Sequence, residues 1–231
     1  EEAFGLGVKT LKKKADFFAE KLTTYMLVST VIGARLGHIL FYENGRDYLL
    51  HPLRILKTWE GGLASHGAII GIVFGALLFY RKIAKDYPTL SILRLLDLLT
   101  LPALFSSIFI RLGNFMNQEV LGTETNLPWA IIFGSPADGS SSLPRHPAQL
   151  YEAGFYLLVF FIFLRFFTSW FPYKGLLTSV LFTGLFLFRF VIEFIKNEQS
   201  YWMVHSTFTM GQLLSVPFIF LGVFLFIRIV F

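Results

Sequence analysis

The chain has 231 residues, of which 55% are hydrophobic and only 15% charged, with 28 phenylalanines and a formal net charge of +5. A water-soluble domain of this size needs far more charge on its surface, so the composition excludes that class and favours a membrane protein with several spans. No nucleic-acid partner is expected, because no nucleic-acid motif accompanies the basic residues, and basic residues beside apolar spans usually set topology.

The chain contains no cysteine, so any thiol chemistry must use a thiol supplied by a partner. No spacing of His, Cys or Asp suggests a metal site, and the sequence lacks a P-loop, a dinucleotide fingerprint and a hydrolase nucleophile elbow. The sequence therefore predicts no metal site.

Six segments predict membrane-spanning helices, since a hydrocarbon core of about 30 Å needs roughly 20 mostly apolar residues. The predicted fold class is an all-α, polytopic membrane helix bundle that forms a single domain over residues 1–231. The predicted spans are about 23–42, 63–80, 93–117, 151–168, 174–195 and 211–231.

The seventeen basic residues that flank the apolar stretches, at or near the ends of the spans, predict the orientation. Twelve of them fall on one side, which should be cytoplasmic, and five on the other. Residues 43–62, 118–150 and 196–210 would then face outward. The segment 118–150 is the longest connection and is rich in Gly, Ser and Pro, and long ordered loops are usually functional. It is predicted to be an outward-facing arm.

Three arginines lie within predicted spans and are not among these seventeen flanking residues, namely Arg35, Arg111 and Arg189. A charge at the centre of a membrane helix costs about 2.5–3.5 kcal/mol on insertion scales, so such residues usually line a cavity. Each lies in the outer half of a span that runs outward, which predicts three guanidinium groups at similar depth. The alternative is that each simply reaches up to the headgroups.

Polar neighbours accompany two of these arginines. Arg111 is followed by Asn114, Asn117 and Glu119. Arg189 has Glu193 at i+4, on the same helical face, which alternatively makes a buried ion pair that locks two helices. Arginine's planar fork suits phosphate oxygens, so the predicted partner of this unbalanced positive charge is a lipid phosphate.

Arg35 has no acidic neighbour, and Gly33 and Gly37 flank it, which would allow another helix or a ligand to come close. In WEGGLASHGAIIG, Ser65 is predicted to cap a helix, with His66 in its first turn. The helix dipole there disfavours the imidazolium, so His66 should be neutral and able to accept a proton, although a structural hydrogen bond is the simpler interpretation.

Small residues follow His66 at helical spacing. Gly67, Gly71 and Gly75 predict a ridge for tight helix packing. In RHPAQLYE, His146 and Pro147 mark a helix start, and the polar residues after them include Glu152. Two roles are possible for the polar residues of this segment: they cap the helix, or they form a rim that faces the substrate.

The block IRLGNFMNQEVLG resembles the signature of bacterial prolipoprotein diacylglyceryl transferases, close to G-R-x-G-N-F-x-N-x-E-x-x-G, with Ile110 in place of the leading glycine. Five further blocks resemble the same family in order: GARLGHILFY, GGLASHG, RHPAQLYE, FRFVIEF and MGQLLSVP. Together the six blocks cover nearly the whole chain.

The resemblance implies an enzyme of the bacterial inner (cytoplasmic) membrane with seven spans and an active site that faces the outer leaflet. The family's first span has no counterpart here, and the chain does not begin with methionine, so we expect a truncated sequence with six spans. The implied reaction moves the diacylglyceryl group of phosphatidylglycerol to the cysteine thiol in the lipobox of a lipoprotein precursor's signal peptide. A thioether forms, glycerol 1-phosphate leaves, and no cofactor is needed.

Site residues follow from the matching motifs. The resemblance implies catalytic roles for His66, Arg111 and Arg189. It implies substrate-binding roles for a larger set: Arg35, Asn114, Asn117, Glu119, Gly122, His146 and Glu193. His66 is the candidate base for the thiol, while the alternative is that the field of the arginines alone lowers the pKa of the thiol.

Two other classes compete with the enzyme. Buried arginines and glycine-rich helices also suit an anion channel or transporter, although no internal repeat or pair of interrupted helices supports a transporter. A lipid-binding scaffold without activity is the third hypothesis, and it predicts that function survives the loss of Arg111.

Overall fold

Six long helices dominate the computed structural model, which describes residues 2–42, 48, 50–57, 62–197 and 207–231, with backbone alone for residues 2–10. They are α1 (Glu2–Phe41), α2 (Ser65–Ile83), α3 (Ile92–Met116), α4 (Ala148–Trp170), α5 (Leu176–Ile192) and α6 (Met210–Val230). The described residues also contain two short 3-10 helices (Pro52–Leu56 and Glu193–Ile195) and the antiparallel strands β1 (Ile131–Ile132) and β2 (Pro144–Arg145). The predicted outward segments 43–62 and 196–210 lie partly outside the described residues.

All six helices are long and apolar enough to cross a membrane, so the predicted all-α, six-span class is confirmed. The largest difference in bounds is at α1, whose candidate span begins at Leu11 rather than near residue 23. Lys, Ala, Glu and Leu dominate the intervening residues and are strong helix formers, so the helix continues through a segment that is too polar for a hydropathy criterion to detect.

The helices form two compact units, Glu1–Ile92 and Leu93–Phe231. In the first, α1 packs against α2 through glycines: a Cβ at Gly67 would meet the carbonyl oxygen of Gly33, and a Cβ at Gly71 would meet that of Ser29. The predicted ridge of small residues on α2 is therefore confirmed, because only residues without a side chain allow the two backbones to approach this closely.

The predicted cap of α2 is wrong. The N-cap is Ala64 rather than Ser65, which is already the first helical residue, and no side chain caps this end. The N–H of Ala64 instead donates to the carbonyl of Ala34 on α1 over 2.9 Å. The start of α2 is thus held by the neighbouring helix, a contact that a local capping pattern does not report.

The second unit contains α3 to α6 around an apolar core of Leu104, Phe163, Leu177 and Leu181. Helices α5 and α6 approach closely at Gly222, where a Cβ would meet the hydroxyl of Thr183. Packing of large apolar side chains and close helix contact therefore both contribute to this unit.

A buried carboxylate on α3 holds the start of α5. Asp97 is fully buried and accepts hydrogen bonds from Gly175 N (2.6 Å), Thr178 N (2.9 Å) and Thr178 Oγ1 (2.8 Å). The first N–H groups of a helix have no partner within that helix, so Asp97 caps α5 from another helix. Gly175 has φ +91°, which glycine adopts without strain.

We expect Asp97→Asn to lower the free energy of unfolding by about 3 kcal/mol, because the amide would turn a donor toward backbone donors that stay buried. Thr178→Val, which removes one of the three bonds, should cost about 1 kcal/mol. Thermal unfolding in detergent micelles measures both. Asp86→Asn is the control, since Asp86 is exposed, and an Asp97→Asn midpoint equal to that control would contradict the capping role.

Candidate functional site

Glu152, on the first turns of α4, is a fully buried carboxylate that faces three cations. Its Oε2 lies 3.2 Å from Arg111 Nε and 3.7 Å from Lys196 Nζ. Its Oε1 lies 3.1 Å from Arg189 Nη1 and accepts a 3.4 Å hydrogen bond from the hydroxyl of Tyr156. One carboxylate therefore joins α3, α4, α5 and the segment that follows α5.

A second carboxylate completes what we call the charge cluster, which consists of Arg111, Glu152, Arg189, Glu193 and Lys196. Glu193 Oε2 lies 3.6 Å from Arg189 Nη2 and 3.5 Å from Lys196 Nζ. All five side chains are at least nine-tenths buried. Three cations and two carboxylates leave the ionised cluster with one positive charge in excess, and an excess charge away from water favours an anionic ligand.

The charge cluster lies at one end of the second unit. Arg111 is near the end of α3, Glu152 near the start of α4, and Arg189 near the end of α5. This is the end opposite Asp97 and the one that the distribution of basic residues predicts to face outward. Gly211, at the start of α6, lies so close to Glu193 that any Cβ there would meet the carboxylate.

Polar side chains beyond the end of α3 fix the orientation of Arg111. Its Nη1 donates to Asn114 Oδ1 over 3.0 Å, and Asn114 Nδ2 donates to Glu119 Oε1 over 2.8 Å. Asn117 donates to the same oxygen over 3.4 Å. Arginine only donates and an ionised glutamate only accepts, so the amide of Asn114 has one orientation that satisfies both.

The backbone around Glu119 is strained. Gln118 has φ 53° and Val120 has φ 59°, a region that a β-branched residue rarely adopts. Gln149 Nε2 donates to the carbonyl of Glu119 over 2.6 Å, and Gln118 Oε1 accepts from Ser135 N over 2.7 Å. Strain of this kind costs about 1–3 kcal/mol per residue and persists where surrounding contacts enforce it, often at functional sites.

Gly122 connects this loop to the charge cluster. It is paired with Lys196 in an antiparallel bridge, and the flanking hydrogen bonds are Thr123 N to Ile195 O (2.9 Å) and Asn197 N to Leu121 O (3.0 Å). A Cβ at position 122 would meet the carbonyl oxygen of His146. Only glycine therefore fits between the two segments, and Gly122 acts here through its backbone.

A chain of hydrogen bonds joins Trp129, Tyr151 and His146. Trp129 Nε1 lies 2.7 Å from the Tyr151 hydroxyl, which lies 3.4 Å from His146 Nδ1. The indole N–H only donates, so the Tyr151 hydroxyl accepts that bond. His146 is thus linked to Trp129 through Tyr151, which lies at the start of α4.

Arg35 and His66 belong to the first unit. Arg35 is buried near the end of α1 and donates to the carbonyls of Arg54 (2.7 Å), Ile55 (3.0 Å) and Gly62 (3.3 Å). These bonds hold the connection between α1 and α2. His66 is almost fully buried in the first turn of α2, as predicted.

The structure brings together the predicted residues of the second unit: Arg111, Asn114, Asn117, Glu119, Gly122, His146, Arg189 and Glu193 belong to it with Glu152 and Lys196. The predicted Arg189–Glu193 ion pair is present, and it forms part of the charge cluster rather than an isolated pair between two helices. The site prediction missed Glu152 and Lys196. Positions 189, 193 and 196 have the spacing i, i+4, i+7 of one helical face, which was the available signal for Lys196.

Comparison with known proteins identifies the family of this fold. The family model described as prolipoprotein diacylglyceryl transferase matches residues 3–228. A phosphatidylglycerol–prolipoprotein diacylglyceryl transferase from Protochlamydia amoebophila is 43% identical over 229 residues, which are 96% of this chain and 60% of that relative. The chain therefore spans about three-fifths of that relative's length.

Two further relatives with the same name are similar over more of their own length. The protein from Tolumonas auensis is 43% identical over 207 residues, which cover 89% of this chain and 77% of the relative. The protein from Chloroherpeton thalassium is 42% identical over 216 residues, which cover 93% and 77%. Sequence similarity thus extends across both units.

We expect Glu152→Gln to lower the free energy of unfolding by about 3–5 kcal/mol, since it leaves three buried cations with a single carboxylate. Glu124→Gln is the matched control, because Glu124 faces Arg145 over 3.9 Å but is largely exposed, and its loss should cost less than about 1 kcal/mol. Thermal unfolding in detergent compares the two variants. Equal midpoints would show that Glu152 does not hold the cluster together.

Proposed function

This chain belongs to the prolipoprotein diacylglyceryl transferase family, and we propose that it transfers the diacylglyceryl group of phosphatidylglycerol to the cysteine thiol of a lipoprotein precursor. The observation that carries the proposal is the charge cluster, whose single excess positive charge complements a phosphodiester with one negative charge. Its position at the end of a bundle of apolar helices is where a lipid headgroup would lie.

The reaction breaks one bond and forms another. The sulfur attacks a carbon of the diacylglyceryl group, a C–S bond forms, and the C–O bond to phosphate breaks, so that glycerol 1-phosphate leaves. The diester, with one negative charge, becomes a monoester that carries up to two. Cations placed before the reaction stabilise this developing charge without reorganisation, which is the role proposed for Arg111 and Arg189.

The nucleophile comes from the partner, because this chain has no cysteine. The thiol must lose its proton before or during attack. His66 is the proposed acceptor, on the grounds that it is buried in the first turn of a helix, where the dipole favours the neutral ring. The alternative is that the arginines alone favour the thiolate.

The remaining residues are proposed to bind and orient the substrates. Asn114, Asn117 and Glu119 hold Arg111 through the bonds described above, and Gly122 brings two backbone segments together. Glu193 holds Arg189. Arg35 and His146 are proposed to contact substrate or to shape the segments that do so.

The proposed location is the bacterial inner (cytoplasmic) membrane, with the charge cluster at the outer leaflet and the cysteine supplied by the lipobox of a signal peptide. The distribution of basic residues supports this orientation, since twelve fall on the side opposite the cluster end. A thiol donor that has crossed the membrane would meet the site from that outer side.

Reconstitution tests the function directly. The chain in phosphatidylglycerol liposomes should add a diacylglyceryl group to a synthetic signal peptide that carries the cysteine, as a mass increase with a thioether. We expect Arg111→Ala to lower the rate at least about 100-fold, since it removes a group that stabilises the leaving phosphate.

Arg165→Ala is the control for this test, because Arg165 is an exposed arginine on α4 outside the cluster, and its loss should leave the rate unchanged. Ion flux through the liposomes without peptide modification would instead favour a channel. Lipid binding that survives Arg111→Ala, with no transfer by any variant, would favour a scaffold.

The role of His66 has its own test. If it is the base, His66→Gln should lower the rate by about 100-fold or more near pH 7, and the deficit should shrink as the pH rises above the pKa of the thiol, which then ionises unaided. Rates of the parent and the variant between pH 6 and 10 measure this. Rates that coincide at every pH would exclude the base role and leave the arginine field to activate the thiol.

A further inference from the structure

Lys196 is a buried ammonium with unused hydrogen-bonding capacity. Its side chain is fully shielded, and its nearest carboxylate oxygens lie at 3.5 Å on Glu193 and 3.7 Å on Glu152. An ammonium carries three N–H donors, yet within the part of the chain that the structure describes Nζ makes no hydrogen bond. A buried donor without an acceptor is costly, so this position needs a reason.

Backbone hydrogen bonds fix the position of the Lys196 main chain. The residue is paired with Gly122, and hydrogen bonds on both sides join residues 195 and 197 to the loop that follows α3. From this backbone position the side chain lies fully buried beside Glu193 and Glu152. The fold therefore buries an ammonium group whose free energy would be lower in water.

Lys196 also supplies the excess charge of the cluster. The other four members are two arginines and two glutamates, whose charges cancel. Both arginines are engaged at short range, Arg111 with Asn114 and Glu152, and Arg189 with Glu152. The ammonium thus carries the charge that no carboxylate of the cluster balances, and its three donors make no hydrogen bond within the described residues.

We propose that Lys196 determines headgroup specificity: its ammonium donates to a phosphate oxygen of a phosphodiester with one net negative charge and so favours such a lipid over a zwitterionic one. This inference rests on the proposed function and names a residue that acts on the lipid headgroup. A zwitterionic headgroup brings its own cation, which the excess positive charge repels.

The groups that face Lys196 set the pH range of this preference. They are Glu193 beside it on the chain, Glu152 on α4, Arg189 on α5 and Arg111 on α3. Burial, assisted by the charge of Arg189, lowers the pKa of Lys196 to about 8, although the two glutamates oppose the shift. The ammonium is therefore charged below that pH, and the preference should disappear as the pH rises through it.

The test is competitive lipid binding by the purified full chain. Detergent-solubilised protein is titrated with equimolar phosphatidylglycerol and phosphatidylcholine, and bound lipids are counted by native mass spectrometry at pH 7 and 9.5. At pH 7 we expect Lys196→Met to lower the preference for phosphatidylglycerol about tenfold, the effect of one charge-assisted hydrogen bond. Lys174→Met is the control, since Lys174 is exposed at the opposite end of α5.

The Lys196→Arg variant distinguishes an effect of the positive charge at this position from an effect on folding or on proton transfer. Arginine stays charged at both pH values, so this variant should keep the preference at pH 9.5, where the parent loses it. The inference is overturned if Lys196→Met prefers phosphatidylglycerol as the parent does. It is also overturned if both substitutions keep the preference and abolish only transfer, which would make Lys196 a proton acceptor.

A transfer assay on the same preparations separates this inference from the proposed function. A parent chain whose lipid preference depends on Lys196, but which modifies no cysteine peptide, would refute the transferase proposal and support the binding role of Lys196. If the parent chain modifies the peptide but its lipid preference does not depend on Lys196, the transferase proposal is supported and the binding role of Lys196 is refuted.

Discussion

The Glu152 carboxylate, shared by Arg111, Arg189 and Lys196, is the interaction on which the second unit's functional end depends. Without it, three cations would lie buried within a few ångströms of one another, with repulsion that no solvent screens. A fully buried ion pair in a soluble protein rarely adds stability. Here the carboxylate does something else, since it lets a bundle of apolar helices hold positive charge in a fixed geometry.

Two buried carboxylates at opposite ends of the second unit differ in the charge of the groups that they contact. Asp97 accepts only from neutral donors, two backbone N–H groups and a hydroxyl, and its role ends with the cap of α5. Glu152 lies close to three cations. Together, Glu152 and Glu193 neutralise only two of these three positive charges. Burial alone does not distinguish these carboxylates, whereas the sign and number of their partners do.

The sequence predicted the features that depend on local spacing. Hydropathy located six helices, the i, i+4 spacing located the Arg189–Glu193 pair, and glycine spacing located the ridge on α2. It did not predict that Glu152 would join the arginines, because that contact links residues 37 and more positions apart. Lys196 was assigned to an aqueous flank by its place after a span, whereas in the structure it pairs with the loop at Gly122 and its side chain is buried beside Glu152 and Glu193. The misassigned cap of α2 has the same cause, a backbone bond from another helix.

The strained loop after α3 is connected to the residue that supplies the excess charge of the cluster. Val120 and Gln118 adopt positive φ, at a cost that the surrounding bonds offset, and the same loop continues to Gly122, whose pairing fixes Lys196. With Lys196 in place, the ionised cluster carries one positive charge, which a bound phosphodiester would bring to neutrality. Under the proposed reaction the phosphate would gain a further negative charge, which the buried cations would stabilise as it develops, and would lose its link to the lipid. Release of the product would then depend on the loss of the acyl chains that anchored the substrate, because the attraction of the cations for the phosphate rises rather than falls.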